Sequence, residues 1–324
     1  MPKQMIAELN PDIPVSGCFV VHEVELRPLS GKPGKYLHLI LGDASGQVTA
    51  RLWDATVESL QACPVGTPLL VRGTTQRYQE ELQVKIQTLR PAKSGEYKED
   101  ELLPMREKNP EAQRMALAGW VEAVQQPHLA ALLEAFFGDP AFLGPFLRAP
   151  AALRIHHAYN GGLLDHTLAV LRLLETTMVD HPGMDRDLLI AGALLHDVGK
   201  VETYVPQGLV FRISDAGRLL DHIILGERLV MTQAEAIPGF PPELALHLDH
   251  LIISHHGTRE NGSPVLPMTP EAIALHHADN LDAQVQRFQE LTGQSPPGER
   301  WTAYQATLGR SLFCPSRSPG DEHH

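Results

Sequence analysis

Along the N-terminal part of the chain, apolar and polar positions alternate with a period of two. Val15–Val24 is a long β-rich run. Tyr36–Leu41 and Gln47–Trp53 flank Gly42-Asp43-Ala44-Ser45-Gly46, the pattern of a hairpin. Leu37, Leu39 and Leu41 share one parity, as do Val48, Ala50 and Leu52, so each set is expected to face a core. A short helix is expected over Ala55–Ala62, and further strands over Pro68–Thr75 and Leu82–Leu89. From Ala112 the spacing becomes helical. The helical runs are Leu129–Phe137, Asp165–Val179, Leu188–His196, His222–Ala236, Leu244–Ser254 and Pro270–Leu291, and a small hairpin is expected within Val201–Ile213.

Between the two regimes, the polar run Ala92–Glu101, punctuated by Pro104 and Pro110, reads as a linker. The expected organisation is therefore a small all-β barrel over residues 1–92, a linker over 93–111 and an all-α helical bundle over 112–300. A C-terminal segment, 301–324, would follow, with Trp301–Phe313 docking back and the remainder disordered. Five strands with a short helix after the third is the order of an OB-fold. The face of its central hairpin opposite the core would carry Tyr36, His38, Thr49, Arg51 and Trp53. Rings and a guanidinium on that face suit single-stranded nucleic acid, because bases stack on rings and Arg meets phosphate. The same residues would also make an ordinary half-exposed strand face. Arg77, Tyr78 and Lys85 on the last hairpin are looser candidates.

Composition changes this picture little. The net charge of −12 argues against a generally basic nucleic-acid binder. The acidity is uneven: residues 1–92 carry nine Lys/Arg and nine Asp/Glu, and most of the excess lies after residue 111. No uninterrupted apolar run is long enough for a membrane span, and the N-terminus lacks an apolar signal core. The three cysteines, Cys18, Cys63 and Cys314, form no CxxC pair, so free thiols in a cytoplasmic protein are expected.

The chemistry sits in the helical half. His166, His196, Asp197, His222, His255, His256 and Asp279 each lie inside or beside an apolar helix-like run. Imidazoles and carboxylates are costly to bury without a partner, and divalent metal would satisfy all of them. Asp197 is the bridging candidate, since a carboxylate can direct its two oxygens at two ions. His166, His196 and Asp279 would complete one ion and His222, His255 and His256 the other. Two ions about 3.5–4 Å apart clamp a phosphodiester and activate water. Each residue has a plainer reading by itself: His255-His256 before Gly257 also suits a helix C-terminus, and Asp279 before Asn280 a turn. The joint order carries the argument. If the helix continues, Lys200 shares a face with His196 and could meet the scissile phosphate, or it could be a simple C-terminal helix cation. His157 and Tyr159 precede the first ligand and could line a substrate cleft. Arg259 is a plausible phosphate contact, and His276 and His277 have no assigned task.

The segments 157–167, 194–200, 253–257 and 278–283 resemble the HD-domain metal-dependent phosphohydrolases, whose name comes from the pair seen here as His196-Asp197. With an OB-fold in front, the chain is similar to the YhaM-type 3′-5′ exoribonucleases, also described as CMP-binding-factor-like, over about residues 10–313. The resemblance implies hydrolysis of single-stranded RNA, and of single-stranded DNA as a further substrate, from the 3′ end to nucleoside 5′-monophosphates. It implies two divalent ions, Mn²⁺ first, with Fe²⁺, Mg²⁺, Co²⁺ or Zn²⁺ as alternatives. The family's ligands carry over onto His166, His196, Asp197, His222, His255, His256 and Asp279 without substitution. Asp197 and Lys200 would be the catalytic pair. HD domains often self-associate, so a homo-oligomer is compatible. Two rivals remain at this stage: an HD enzyme of nucleotides or cyclic dinucleotides with a regulatory OB domain, and a non-enzymatic DNA-binding factor.

Overall fold

The computed structural model describes residues 4–29, 31, 33–79, 81–103, 109–152, 159–293, 295 and 298–315. Contacts divide the chain into two units, one of residues Met1–Glu107 with Tyr204–Asp215, the other of Lys108–Thr203 with Ala216–His324.

In the first unit, strands β1 (Pro14–Pro28), β2 (Lys35–Asp43), β3 (Gly46–Leu52), β4 (Pro68–Tyr78) and β5 (Glu81–Pro91) close a barrel in the order β1-β2-β3-β5-β4. Helix α1 (Val57–Gln61) follows the third strand, and Thr56 caps it by accepting from the Ser59 backbone N–H at 3.3 Å. One long β1 serves two neighbours: Pro14–Val20 pairs with β4 and Val20–Pro28 with β2, with a bulge between Val21 and Glu23. The extra residue bends the strand so that the sheet can curl shut. β3 and β5 are parallel, and every other pairing in the barrel is antiparallel. This is the five-stranded OB-like barrel the strand order predicts. Leu37, Leu39, Leu41 and Ala50 are fully buried and Val48 nearly so, as their parity requires, while Leu52 at the barrel's end is half-buried.

The segment read as a linker is in part an extension of this barrel. Glu96 accepts two hydrogen bonds from the Arg90 guanidinium, at 2.8 and 2.7 Å. Glu99–Glu101 forms a 3-10 turn whose Glu101 carbonyl accepts from the Ala44 N–H. Leu102 is fully buried. An apolar residue at the end of a charged run is enough to dock it, and charge counting alone does not show this. A hairpin of β6 (Tyr204–Gln207) and β7 (Val210–Ile213) also groups with the barrel, where Leu209 donates its N–H to the Gly66 carbonyl at 3.0 Å.

The second unit is helical: α2 (Pro110–Glu122), α3 (Pro127–Phe137), α4 (Pro140–Arg148), α5 (Gly162–Asp180), α6 (Arg186–Leu195), α7 (Lys200–Thr203), α8 (Asp215–Ala236), α9 (Pro242–Ser254) and α10 (Pro270–Gly293). Three of these, α2, α4 and the short α7, are additional to the six helical runs read in the sequence. α2 starts at Pro110 behind an Asn109 cap, so the proline that reads as a break is a favoured first helical residue. α4 contains Pro145 but is anchored by Phe142 and Phe146, which pack on Phe136 and Phe137 at 4.8–6.2 Å between ring centroids. α6 is the central helix: every residue from Leu188 to Leu195 is buried, and it packs against α3, α5, α9 and α10. A helix apolar on all sides can only be an interior one, and each fully buried Leu stabilises by about 1.5–3 kcal/mol.

Trp301–Phe313 folds back on itself, with Thr302 N–H donating to the Leu312 carbonyl at 2.9 Å. Of the residues expected to be disordered, Cys314 is instead buried and donates its N–H to the Arg300 carbonyl at 2.9 Å, and those beyond Pro315 lie outside the described ones. Among the described residues, no single helix is long and apolar enough to cross a membrane.

Candidate metal centre

The helix ends of the second unit supply the site. His166 lies in the first turns of α5, His196 ends α6 with Asp197 after it, His222 lies in α8, His255-His256 follows α9, and Asp279 lies in α10. Two close approaches bring these ends together. Gly199, in the turn after Asp197, lies so near α8 that a Cβ there would sit 2.0 Å from the His222 carbonyl oxygen and 2.4 Å from the Gly226 nitrogen. Gly257 has φ +78°, and a Cβ there would strike the His276 ring. Glycine is the residue that allows backbone this close.

The seven residues gather around Asp197 in two groups. His166, His196 and Asp197 offer ligand atoms within 4.8 Å of one another, and so do His222, His255 and His256. Asp197 Oδ2 lies 3.5 Å from His166 Nε2 and 3.4 Å from His196 Nε2. Its other oxygen, Oδ1, lies 3.4 Å from His222 Nε2 and 3.7 Å from His255 Nε2. Asp279 Oδ1 joins the first group, 3.1 Å from His166 Nε2. Each oxygen of one carboxylate thus faces its own group of imidazoles.

The imidazoles are oriented from behind. His196, His255 and His256 hold Nδ1 on the carbonyls of Ala193, Ile252 and Asn261, at 2.8, 2.6 and 2.7 Å. His166 Nδ1 meets Asp282 at 2.7 Å, and His222 Nδ1 meets Asp221 at 2.6 Å. With Nδ1 engaged, Nε2 is the nitrogen each ring would offer to a metal. Asp197 Oδ1, His222 Nε2 and His255 Nε2 are buried with no hydrogen-bond partner. Leaving such atoms unpaired is costly, and a divalent cation is the partner this donor set fits.

Electrostatics agree in the second group. Burial, then His256 and His196, hold His255 well below the usual imidazole range, and burial, then His222, lowers His256. Neutral rings keep the lone pair a metal needs. Burial disfavours charge on His166, but hydrogen bonds to Asp279 and Asp282 outweigh it and raise this ring to about 9. Burial likewise opposes ionisation of Asp197 and Asp279, yet Lys200 and His196 hold Asp197 well down, and His166 lowers Asp279.

The other expected residues fall as follows. The Lys200 ammonium is buried and donates to Asp197 Oδ2 at 2.6 Å, and the chain turns over 196–199 before α7 rather than continuing one straight helix. The Tyr159 hydroxyl donates to Asp165 Oδ2 at 2.7 Å. Arg259 is exposed on the loop after α9. His157 lies outside the described residues. In the barrel, Tyr36 and Trp53 pair at 5.2 Å between centroids. The Arg51 guanidinium lies over Tyr36 at 5.6 Å and over Tyr78 at 5.1 Å, and His38 stands opposite Arg51 in the register.

Several residues in contact with the candidate ligands are additional to the sequence reading. Asp282, one turn after Asp279, could have been found by that spacing. Asp221, adjacent to a ligand, carries no sequence signal. His276 acquires a task, because its Nδ1 meets the His255 carbonyl at 2.9 Å and anchors the ligand pair. Asp165, buried beside His166, also accepts from the Gln113 amide of α2.

An HD-type helical unit carrying a buried His/Asp cluster that fits divalent metal, together with an OB-like barrel, defines the class. The HD domain family model matches residues 163–284. The chain is 33% identical over 288 residues to the 3′-5′ exoribonuclease YhaM of Bacillus licheniformis, covering 88% of this chain and 90% of that protein. It is 32% identical to the proteins of the same name from Geobacillus sp. (strain WCH70) and Bacillus pumilus, covering 88% and 89% of this chain and 87% and 90% of theirs. The chain belongs to the YhaM family of 3′-5′ exoribonucleases.

Proposed function

We propose that this chain is a metal-dependent 3′-5′ exoribonuclease that shortens single-stranded RNA, and single-stranded DNA as a secondary substrate, to nucleoside 5′-monophosphates. The observation that carries the reading is the division of the two Asp197 oxygens between two imidazole groups, in a chain similar along most of its length to exoribonucleases. His166, His196 and Asp279 would hold one divalent ion and His222, His255 and His256 the second, with Asp197 shared; Mn²⁺ is the first candidate. When bound, such a pair supplies Lewis acidity and an activated water for phosphodiester cleavage.

The chain's own groups do the rest. The carbonyl and carboxylate partners behind each ring hold the coordinating nitrogens in place, so little reorganisation is needed at the moment of reaction. Lys200 places a buried cation beside Asp197, where a phosphate arriving at the cluster would meet it. Tyr159 and Arg259, together with His157 on the strength of its sequence position alone, are the groups we assign to substrate. In the barrel, Tyr36, Trp53 and the ring-stacked Arg51, with His38 beside them, form the surface we assign to unpaired bases and their phosphates. The buried thiols of Cys18, Cys63 and Cys314, none of them in a disulfide, support a reducing, cytoplasmic setting.

The test is incubation of the protein with 5′-labelled single-stranded RNA in Mn²⁺, in Mg²⁺ and in chelator. A metal-dependent ladder shortening from the 3′ end is expected. Full-length RNA under every metal, with turnover of nucleotides or cyclic dinucleotides instead, would replace this reading with a small-molecule phosphohydrolase.

A further inference from the structure

Helix α8 is broken at Asp221, which has φ 63° and ψ 163° between two helical pieces. Left-handed φ with extended ψ is a region occupied almost only by glycine. Of the four described non-glycine residues with positive φ, Asp221 is the one in the helical unit. Its side chain is 69% exposed, so packing of the side chain does not impose the conformation. What accompanies it is a double hydrogen bond: Asp221 Oδ1 accepts from the His222 backbone N–H at 2.5 Å and meets the His222 ring Nδ1 at 2.6 Å. The same ring presents its buried, unpartnered Nε2 3.4 Å from Asp197 Oδ1.

We propose that Asp221 is the positioning residue of the His222 ion subsite: its strained backbone breaks the helix so that His222 points at Asp197, and its carboxylate fixes that ring's tautomer and angle. This deepens the two-ion reading above and rests on it. Each group of ligands then holds one carboxylate-backed imidazole, Asp282–His166 in the first and Asp221–His222 in the second, while the other three rings rest on backbone carbonyls. A carboxylate behind an imidazole raises its basicity and locks its orientation, and losing such a partner typically costs 10–100-fold in metal affinity. Asp221 touches no reacting atom in this account and acts through His222.

The experiment uses the full chain stripped of metal, as wild type, Asp221→Ala, Asp221→Gly and Asp221→Asn. Co²⁺ binding is followed by calorimetry and by its visible spectrum, and the Tm of the metal-free protein is recorded. Wild type is expected to take up two ions. The Ala and Gly variants should keep the first and bind the second about 10–100-fold more weakly, and Asn, which retains an acceptor oxygen, should recover most of that loss. Metal-free Gly should melt above metal-free Ala, the reverse of their ordinary order inside a helix. Wild type that binds fewer than two ions overturns the two-ion reading itself. Wild type that binds two, with Ala and Gly variants that match it at the second, overturns the role of Asp221 alone. Ala melting at or above Gly overturns the strain.

Discussion

Asp197 and Lys200 form a buried ion pair at the centre of the candidate site, and its removal separates fold from chemistry. Both side chains are almost fully buried and their charged atoms are 2.6 Å apart. At that distance, with an effective dielectric near 20, the attraction is about 6 kcal/mol before desolvation is charged against it. Removing one partner of such a pair leaves the other charge buried, which typically costs about 3–5 kcal/mol, whereas removing both is far cheaper. Asp197→Ala and Lys200→Met are therefore each expected to lose about 3–5 kcal/mol in the metal-free protein. The double variant should fall short of the summed loss by at least about 2 kcal/mol, within the coupling range of contacting residues. The assay is urea unfolding of the four metal-free proteins as a double-mutant cycle, with Mn²⁺ binding measured alongside. The double variant should recover only part of the summed loss, while metal binding should stay lost, because Asp197 is the proposed shared ligand. Single losses that add within about 0.5 kcal/mol would show that the pair is not coupled and refute the argument. Full-strength Mn²⁺ binding by Asp197→Ala would refute the ligand assignment.

Three further outcomes follow from the geometry. Gly199→Ala forces a Cβ to within 2.0 Å of the His222 carbonyl; overpacking of this kind costs about 1–3 kcal/mol, and both the unfolding midpoint and the affinity for the second ion should fall. Unchanged values would mean that the turn can move aside freely. Trp53→Ala with Arg51→Ala removes a ring and the guanidinium stacked between Tyr36 and Tyr78; stacking is worth about 1–3 kcal/mol per base, so RNA binding should weaken roughly 5- to 150-fold in a filter assay. Cleavage of a small phosphodiester should be spared, and equal losses on both substrates would discredit a separate binding surface. Finally, Cys18, Cys63 and Cys314 are all buried thiols, and burial pushes the Cys63 thiol up to about 11. The thiolate, scarce well below that value, is the reactive form. A thiol reagent at pH 8 should thus label Cys63 only on unfolding, and rapid labelling of the native protein would contradict its placement.

Much of this molecule was legible along the chain because burial leaves a periodic trace. The parity of Leu37, Leu39 and Leu41 against Tyr36 and His38 assigned the two faces of β2, since side chains alternate on any strand. The apolar spacing of Leu188–His196 marked α6 as a helix, and polar candidate ligands within apolar helices marked a site that needed a counter-charge. The linker was misjudged at Leu102 and the start of α2 at Pro110, where one residue's context outweighed the composition around it.

The sequence by itself therefore determined the two architectures and the identity of the candidate ligands, because hydrophobic period and the cost of buried charge act residue by residue. Only the tertiary structure decided how those ligands are shared. Which oxygen of Asp197 faces which imidazoles depends on helix ends that are far apart in the chain and are brought together where Gly199 lets α8 approach. That Lys200 turns onto Asp197, that Asp282 reaches back to His166, and that Asp221 takes a strained backbone to hold His222 are likewise settled by polar contacts made in space. Direction and distance in space, unlike burial, leave no period in a sequence.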